Sequence, residues 1–182
     1  MTEPVRERLL AAADELFYAY GLRAVSADKI IDRVGTTKVT FYRHFRTKDD
    51  LVVAYLERRA AAERAGVEAV IAAAGGNAEA ALRMMSEGLG QMACAPGFRG
   101  CPFINAAAEY PDAESPVRRI VDSHRAWWKK SFEDLVAPLG LPAHTGDDLM
   151  VLRDGAMVAG YLGEADVAAG SFLRAGLALL NG

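Results

Sequence analysis

Residues 25–56, VSADKIIDRVGTTKVTFYRHFRTKDDLVVAYL, hold two short helices, a tight turn and a cluster of basic and hydroxyl side chains. Ile30, Ile31 and Val34 give one apolar face to a helix opened by Ser26, whose hydroxyl can cap the free N–H groups of the first turn. Gly35 ends that helix, because glycine takes positive φ at little cost, and Thr36-Thr37 provide a fresh N-cap for a second helix from Lys38 to about Phe45. Two helices joined by a few residues that include Gly make a helix-turn-helix. Val39 and Tyr42 lie three apart and Phe41 and Phe45 four apart, so some of them anchor the second helix, and Lys38, Thr40, Arg43 and His44 are left to face outward. Thr47 caps a further, long helix with Asp49 and Asp50 in its first turn, where the helix dipole favours negative charge.

Charge is concentrated on the same stretch. The whole chain is at −3, yet from Arg23 to Lys48 seven basic residues face two acidic ones, so this segment carries +5 and the remainder −8. Such asymmetry puts positive potential where phosphates would lie and keeps the rest of the molecule off the nucleic acid.

The 182 residues, 52% of them hydrophobic, suffice for one sizeable core or for one small and one medium domain. With no apolar run long enough to span a bilayer and a charged start, MTEPVRERLL, the expected location is cytoplasmic and no membrane association is expected. Two cysteines form no disulfide framework, and Cys94, Cys101 and His124 are too few and scattered for a zinc site, so no metal or cofactor is expected. The sequence carries no phosphate loop, nucleophile–base set or carboxylate–metal set with usable spacing, which argues against an enzyme.

Outward from residues 25–56 the periodicity is helical throughout. Pro4 opens a first helix ending near Gly21, and a fourth runs from Lys48 to about Ala74, closed by Gly75-Gly76 before Asn77 caps the next, 78–93. Ala95 to Pro102 interrupts, 103–110 is helical, and Ser115-Pro116 launches a long helix to about Val136. Thr145 to Asp148 has capping-box spacing and starts a helix to Leu162, and a last helix runs from about Glu164 to Leu180.

Leu16-Phe17, Gly21, Ile30, Gly35, Thr37, Lys38, Thr40, Phe41, Tyr42, His44-Phe45, Lys48 and Leu51 fall in a pattern that resembles the amino-terminal motif of the tetracycline-repressor (TetR) family of bacterial transcription regulators, over roughly residues 8–56. It departs from that pattern at Thr36, commonly Val, and at Val39, commonly a small residue. The resemblance implies an all-α, nine-helix fold: a three-helix helix-turn-helix domain, 1–47, and a helical effector-binding and dimerisation domain, 48–182. It implies a homodimer on a double-stranded DNA operator, with Ser26, Tyr42 and Lys48 on phosphates, Thr37 and Lys38 at the start of the recognition helix, and Thr40, Arg43 and His44 towards the groove. Arg43 suits either guanine readout or a phosphate clamp, and His44 either a DNA contact or packing beside Phe45.

In the last two helices, Leu149, Leu152, Ala156, Ala159 and Gly160 form one apolar stripe and Phe172, Leu173, Ala175, Gly176, Leu177 and Leu180 another, which together are expected to make a dimer face. Met85, Met92, Phe98, Phe103, Tyr110, His124, Trp127, Trp128, Phe132 and Tyr161 offer aromatic and polarizable lining for an apolar or flat effector, although each also suits plain core, and Arg125 or His124 could meet an acidic group. Gly100-Cys101 to Glu109 resembles the Gly-Cys-x-x-x-Asn-x-x-x-Glu segment of a TetR subgroup, some of whose members sense electrophiles or oxidants; Cys101 is therefore either a switch thiol or a buried small hydrophobe. The expected activity is a ligand-released repressor, the alternatives being a Cys101-based sensor and a helical protein-interaction adaptor.

Overall fold

The computed structural model describes residues 3–142 and 144–181, apart from the side chain of Asp166. Among the described residues there are nine α-helices and no strand: α1 Val5–Tyr20, α2 Ala27–Val34, α3 Lys38–His44, α4 Lys48–Ala73, α5 Ala78–Cys94, α6 Pro102–Glu109, α7 Pro116–Val136, α8 Thr145–Tyr161 and α9 Ala165–Asn181, with a short 3-10 turn, Ala137–Leu139, after α7. No described helix is long and apolar enough to cross a membrane.

The helix ends follow local chemistry. Lys29 N–H donates to Ser26 Oγ at 3.3 Å, Gly35 takes φ +67° as the left-handed residue after α2, and Thr40 N–H donates to Thr37 Oγ1 at 3.2 Å. Thr47 and Asp50 form a reciprocal capping box at 3.0 Å in each direction. Asn77 and Ser115 cap α5 and α7 with acceptor distances of 2.9 and 3.1 Å. Thr145 is a correction: it is the first residue of α8 rather than its cap, and its side chain is buried, so the hydroxyl is drawn into packing.

The chain clusters into two compact units, Met1–Ala61 with Pro102–Asp122, and Ala62–Cys101 with Ser123–Gly182. The first unit takes in α4 as far as Ala61, together with α6 and the start of α7. In that unit Leu9, Ala13, Phe17, Val25, Ile30, Phe41, Leu51, Tyr55 and Leu56 form a core in which Phe17 meets Tyr55 edge-on at 5.6 Å. Glu109, at the end of α6, accepts the backbone N–H groups of Leu22 and Arg23 in the link between α1 and α2. In the second unit α5 packs on α8 and α9. Glycines allow the close approach: a Cβ on Gly160 would stand 3.0 Å from Ala93 Cβ, and one on Gly176 3.1 Å from Leu82 Cδ1.

Candidate nucleic-acid interface and effector cavity

Phe41 and Phe45 carry the anchoring of α3: both are buried, with ring centroids 6.1 Å apart. Val39 is 74% exposed, and Tyr42, half exposed, sets its ring edge-on to Phe41 at 5.1 Å, which leaves the phenol outward. The outer face of α2 and α3 therefore presents Ser26, Thr37, Lys38, Val39, Tyr42, Arg43 and His44 to solvent, with Thr40 half-buried. Thr37 Oγ1 and Thr40 Oγ1 are 3.0 Å apart and fix each other's rotamers.

The seven basic residues are not equally free. Lys38 Nζ pairs with Asp28 at 3.0 Å; the hydrogen bond and the charge of that carboxylate raise its pKa above the usual lysine value. Arg33 makes a two-point contact with Glu15, both distances 2.9 Å, and Arg23 lies over the Tyr110 ring at 5.3 Å. Lys48, expected on a phosphate, donates its Nζ to the carbonyls of Leu22, Val25 and Arg23 at 2.9, 3.2 and 3.4 Å inside the unit. Arg43, His44 and Arg46 are exposed and make no ion pair with the described residues.

The second unit contains a cavity of about 580 Å³ between α4, α5, α7, α8 and α9. Its wall includes Met84, Met85 and Met92 from α5 and Met157 from α8, joined by Leu89, Phe132 and Phe172. Glu63, Trp128 and Arg153 bring polarity to it. Arg153 Nη2 donates to Glu63 Oε1 at 2.6 Å, Trp128 Nε1 donates to the same oxygen at 3.0 Å, and His124 Nε2 stands 3.0 Å from Glu63 Oε2. Burial pushes the Glu63 carboxyl up, but the hydrogen bond to His124 and the charge of Arg153 outweigh it and hold the pKa at about 2. Burial likewise opposes charge on Arg153, and Cys101 and Glu63 reverse that, raising its pKa.

Of the expected pocket residues, Met85, Met92, Trp128 and Phe132 line this cavity. The others lie outside it. Phe103 and Tyr110 belong to the first unit, where Tyr110 is buried and its hydroxyl donates to Asp49 Oδ1 at 2.7 Å. His124 backs Glu63 without lining the cavity, Trp127 stacks on His124 at 6.0 Å, and Tyr161 is exposed beneath Arg99. Arg125 pairs with Asp154 at 2.6 Å. Sequence reasoning missed Glu63 and Arg153; the available signal was Arg153 standing in the inward row Leu149, Met150, Arg153, Ala156, Met157 of α8, a charge aimed at an interior.

The expected dimer stripe divides by burial. Leu149, Ala156, Gly160, Phe172, Gly176 and Leu180 are buried within the protomer, where α8 and α9 pack on α5, and only Leu152, Ala159, Leu173, Ala175 and Leu177 remain half-buried. Exposed apolar side chains on α8, on α9 and in the link between them include Val151, Val158, Tyr161, Leu162 and Val167. Cys101 is buried just before α6, its Sγ 3.8 and 3.9 Å from the two terminal nitrogens of Arg153, whereas Cys94 is exposed. No group of three or more His, Cys, Asp or Glu among the described residues could hold a metal ion.

Residues 9–55 match the model of bacterial regulatory proteins of the tetR family, and residues 78–138 that of the tetracyclin repressor-like C-terminal domain. The crystal structure of SCO4454, a TetR-family transcriptional regulator from Streptomyces coelicolor, superposes with a TM-score of 0.91 at 38% identity, covering 97% of this chain and 94% of that one. The chain belongs to the TetR family. TetR regulators bind DNA operators and small-molecule effectors and act as dimers. This TetR chain is 27% identical to the HTH-type transcriptional repressor NemR of Escherichia coli K12 over 118 residues, 64% of the chain and 59% of NemR. It is 43% identical to the HTH-type transcriptional activator FasR of Mycolicibacterium smegmatis over 53 residues, 29% of the chain and 24% of FasR. The chain thus matches less than two thirds of either curated relative.

Proposed function

We propose that this TetR-family regulator is a homodimeric repressor that occludes a near-palindromic operator and is released by a small apolar or aromatic effector bound in the second unit. The observation that carries the DNA half is the outer face of α3, where Arg43, Tyr42, Lys38 and Thr37 stand exposed on a helix pinned from behind by Phe41 and Phe45. Ser26, Tyr42 and Lys38 are positioned for phosphates, Lys38 exchanging Asp28 for DNA; Thr37, Thr40, Arg43 and His44 are the readout candidates. On this reading residues 1–47 contact DNA and 48–182 bind effector and partner. Val151 and Val158 of α8, Leu162 just after it and Val167 of α9, with half-buried Leu152 and Ala159, supply the apolar surface for the partner copy. Two recognition helices would then enter major grooves about 34–36 Å apart. Repression draws support from NemR, the named repressor, whose match runs over more than twice the length of the FasR match.

Selection from random duplexes tests this. The expected product is an inverted repeat bound by two copies, with an affinity that falls steeply with salt. Selection of an asymmetric site by a single copy would overturn the dimeric reading, and equal binding to all duplexes would overturn operator recognition.

A second reading rests on Cys101, adjacent to Arg153 and just before α6, as an electrophile-sensitive switch. Its burial requires the segment to open before reagent can reach it. Operator release by a mild electrophile in the wild type and not in Cys101→Ser would support it; identical release in both would end it.

A further inference from the structure

The cavity wall carries one anion and one cation, Glu63 and Arg153, and these neutralise each other across 2.6 Å. Both ions are already held by protein partners. Glu63 is met by Arg153 and Trp128 on one oxygen and faces His124 on the other. Arg153 spends its terminal nitrogens on Glu63, on Asp154 at 3.1 Å and on Cys101 Sγ, and its face lies 4.5 Å over the Trp128 ring. Asp154 is itself balanced by Arg125 at 2.6 Å.

A ligand carboxylate or sulfonate reaching Arg153 would have to displace Glu63 and would leave two anions on one guanidinium. A ligand ammonium reaching Glu63 would have to displace Arg153, with the mirror-image result. Arg153 is buried and Glu63 half-buried, so separating the pair or adding a like charge beside it costs more than an apolar contact returns. An uncharged molecule leaves the pair intact and gains from the methionine wall, whose flexible thioethers adapt to many outlines. Resting on the reading of this cavity as the effector site, we infer that its ligands are uncharged hydrophobic molecules, selected by absence of charge more than by shape.

The probes are phenylnaphthylamine, which is neutral, anilinonaphthalene sulfonate, which adds a sulfonate to the same rings, and a quaternary ammonium derivative of the amine. Each is titrated by fluorescence in the same buffer. Wild-type protein is expected to bind the neutral probe about tenfold or more tighter than either ion. Gly88 lines the cavity and a Cβ there meets nothing within 4 Å, so Gly88→Trp fills the space from α5 and is expected to weaken the neutral probe by about tenfold. Glu63→Gln leaves Arg153 in excess and shifts relative affinity about tenfold towards the sulfonate; Arg153→Gln shifts it similarly towards the ammonium. Should a charge variant fail to fold, the other and the wild-type ranking decide. Equal wild-type affinities that are all lost in Gly88→Trp would overturn charge selection and leave the cavity a binding site. No binding of the neutral probe, or binding indifferent to Gly88→Trp, would overturn the cavity reading itself.

Discussion

Glu109 accepts the backbone N–H of Leu22 at 2.9 Å, and its other carboxylate oxygen accepts that of Arg23 at 2.6 Å, so a side chain from α6 stands where the link between α1 and α2 has two donors with no helical partner. The part-buried bond to Leu22 contributes about 1.5–3 kcal/mol as a charge-assisted hydrogen bond, and the exposed one to Arg23 less. Glu109→Ala is expected to destabilise the protein by about 2–3 kcal/mol in urea denaturation, and Glu109→Gln, which keeps one acceptor, by about half that. A loss below about 0.5 kcal/mol for the alanine variant would show that water replaces the carboxylate without cost.

Lys48 is engaged by backbone carbonyls, whereas Arg43 stands exposed on the face proposed for DNA. Lys48→Met removes three donors to carbonyls and is expected to cost about 1–3 kcal/mol of stability while leaving the salt dependence of DNA binding unchanged. Arg43→Ala should do the reverse: stability within about 0.5 kcal/mol of wild type, with either a salt slope lower by about one or a relaxed base preference at one operator position. A drop of about one in the slope for Lys48→Met would return that residue to the phosphate contacts.

Phe41 and Val39, two residues apart, should differ sharply. Phe41 is fully buried and its truncation to Ala is expected to cost about 3–5 kcal/mol. Val39→Ala should change thermal stability by no more than about 0.5 kcal/mol, because that side chain already faces solvent. Comparable loss in both variants would contradict the orientation of α3.

Glu63 sets a pH dependence whose sign is fixed by its lowered pKa. The group sits at about 2 in the folded protein against an ordinary 4.5, so its contribution is complete above 4.5 and is lost as pH falls towards 2. The full shift amounts to at most about 3 kcal/mol. The stability gap between wild type and Glu63→Gln should therefore narrow between about pH 5 and about pH 3 in denaturant titrations. A gap constant over that range would mean that the carboxylate is not held ionised by Arg153 and His124.

Much of the DNA-facing half is legible in the sequence because its determinants are local. Ser26 to Lys29, Thr37 to Thr40 and Thr47 to Asp50 are contacts across three residues, and Gly35 acts through its own φ, so reading neighbours in order is enough to place the helices. The cavity was only half readable. Met85, Met92 and Trp128 declared themselves by size and apolarity, whereas Phe103 and Tyr110, equally apolar, sit in the other unit. The same ambiguity governs α8 and α9, where Leu149 and Phe172 have the spacing of a subunit face and are used inside the protomer.

By itself the sequence determined an all-α chain, the ends of nearly all its helices and a helix-turn-helix, since caps, turns and periodicity act over a few residues. The tertiary structure alone decided which partner each polar side chain takes. Lys48 turned inward to carbonyls more than twenty positions away, and Arg153 found Glu63 across 90 positions. Burial forces a charged group to be satisfied, but what satisfies it is whichever group the packed helices bring within about 3 Å, and spacing along the chain carries no record of that choice.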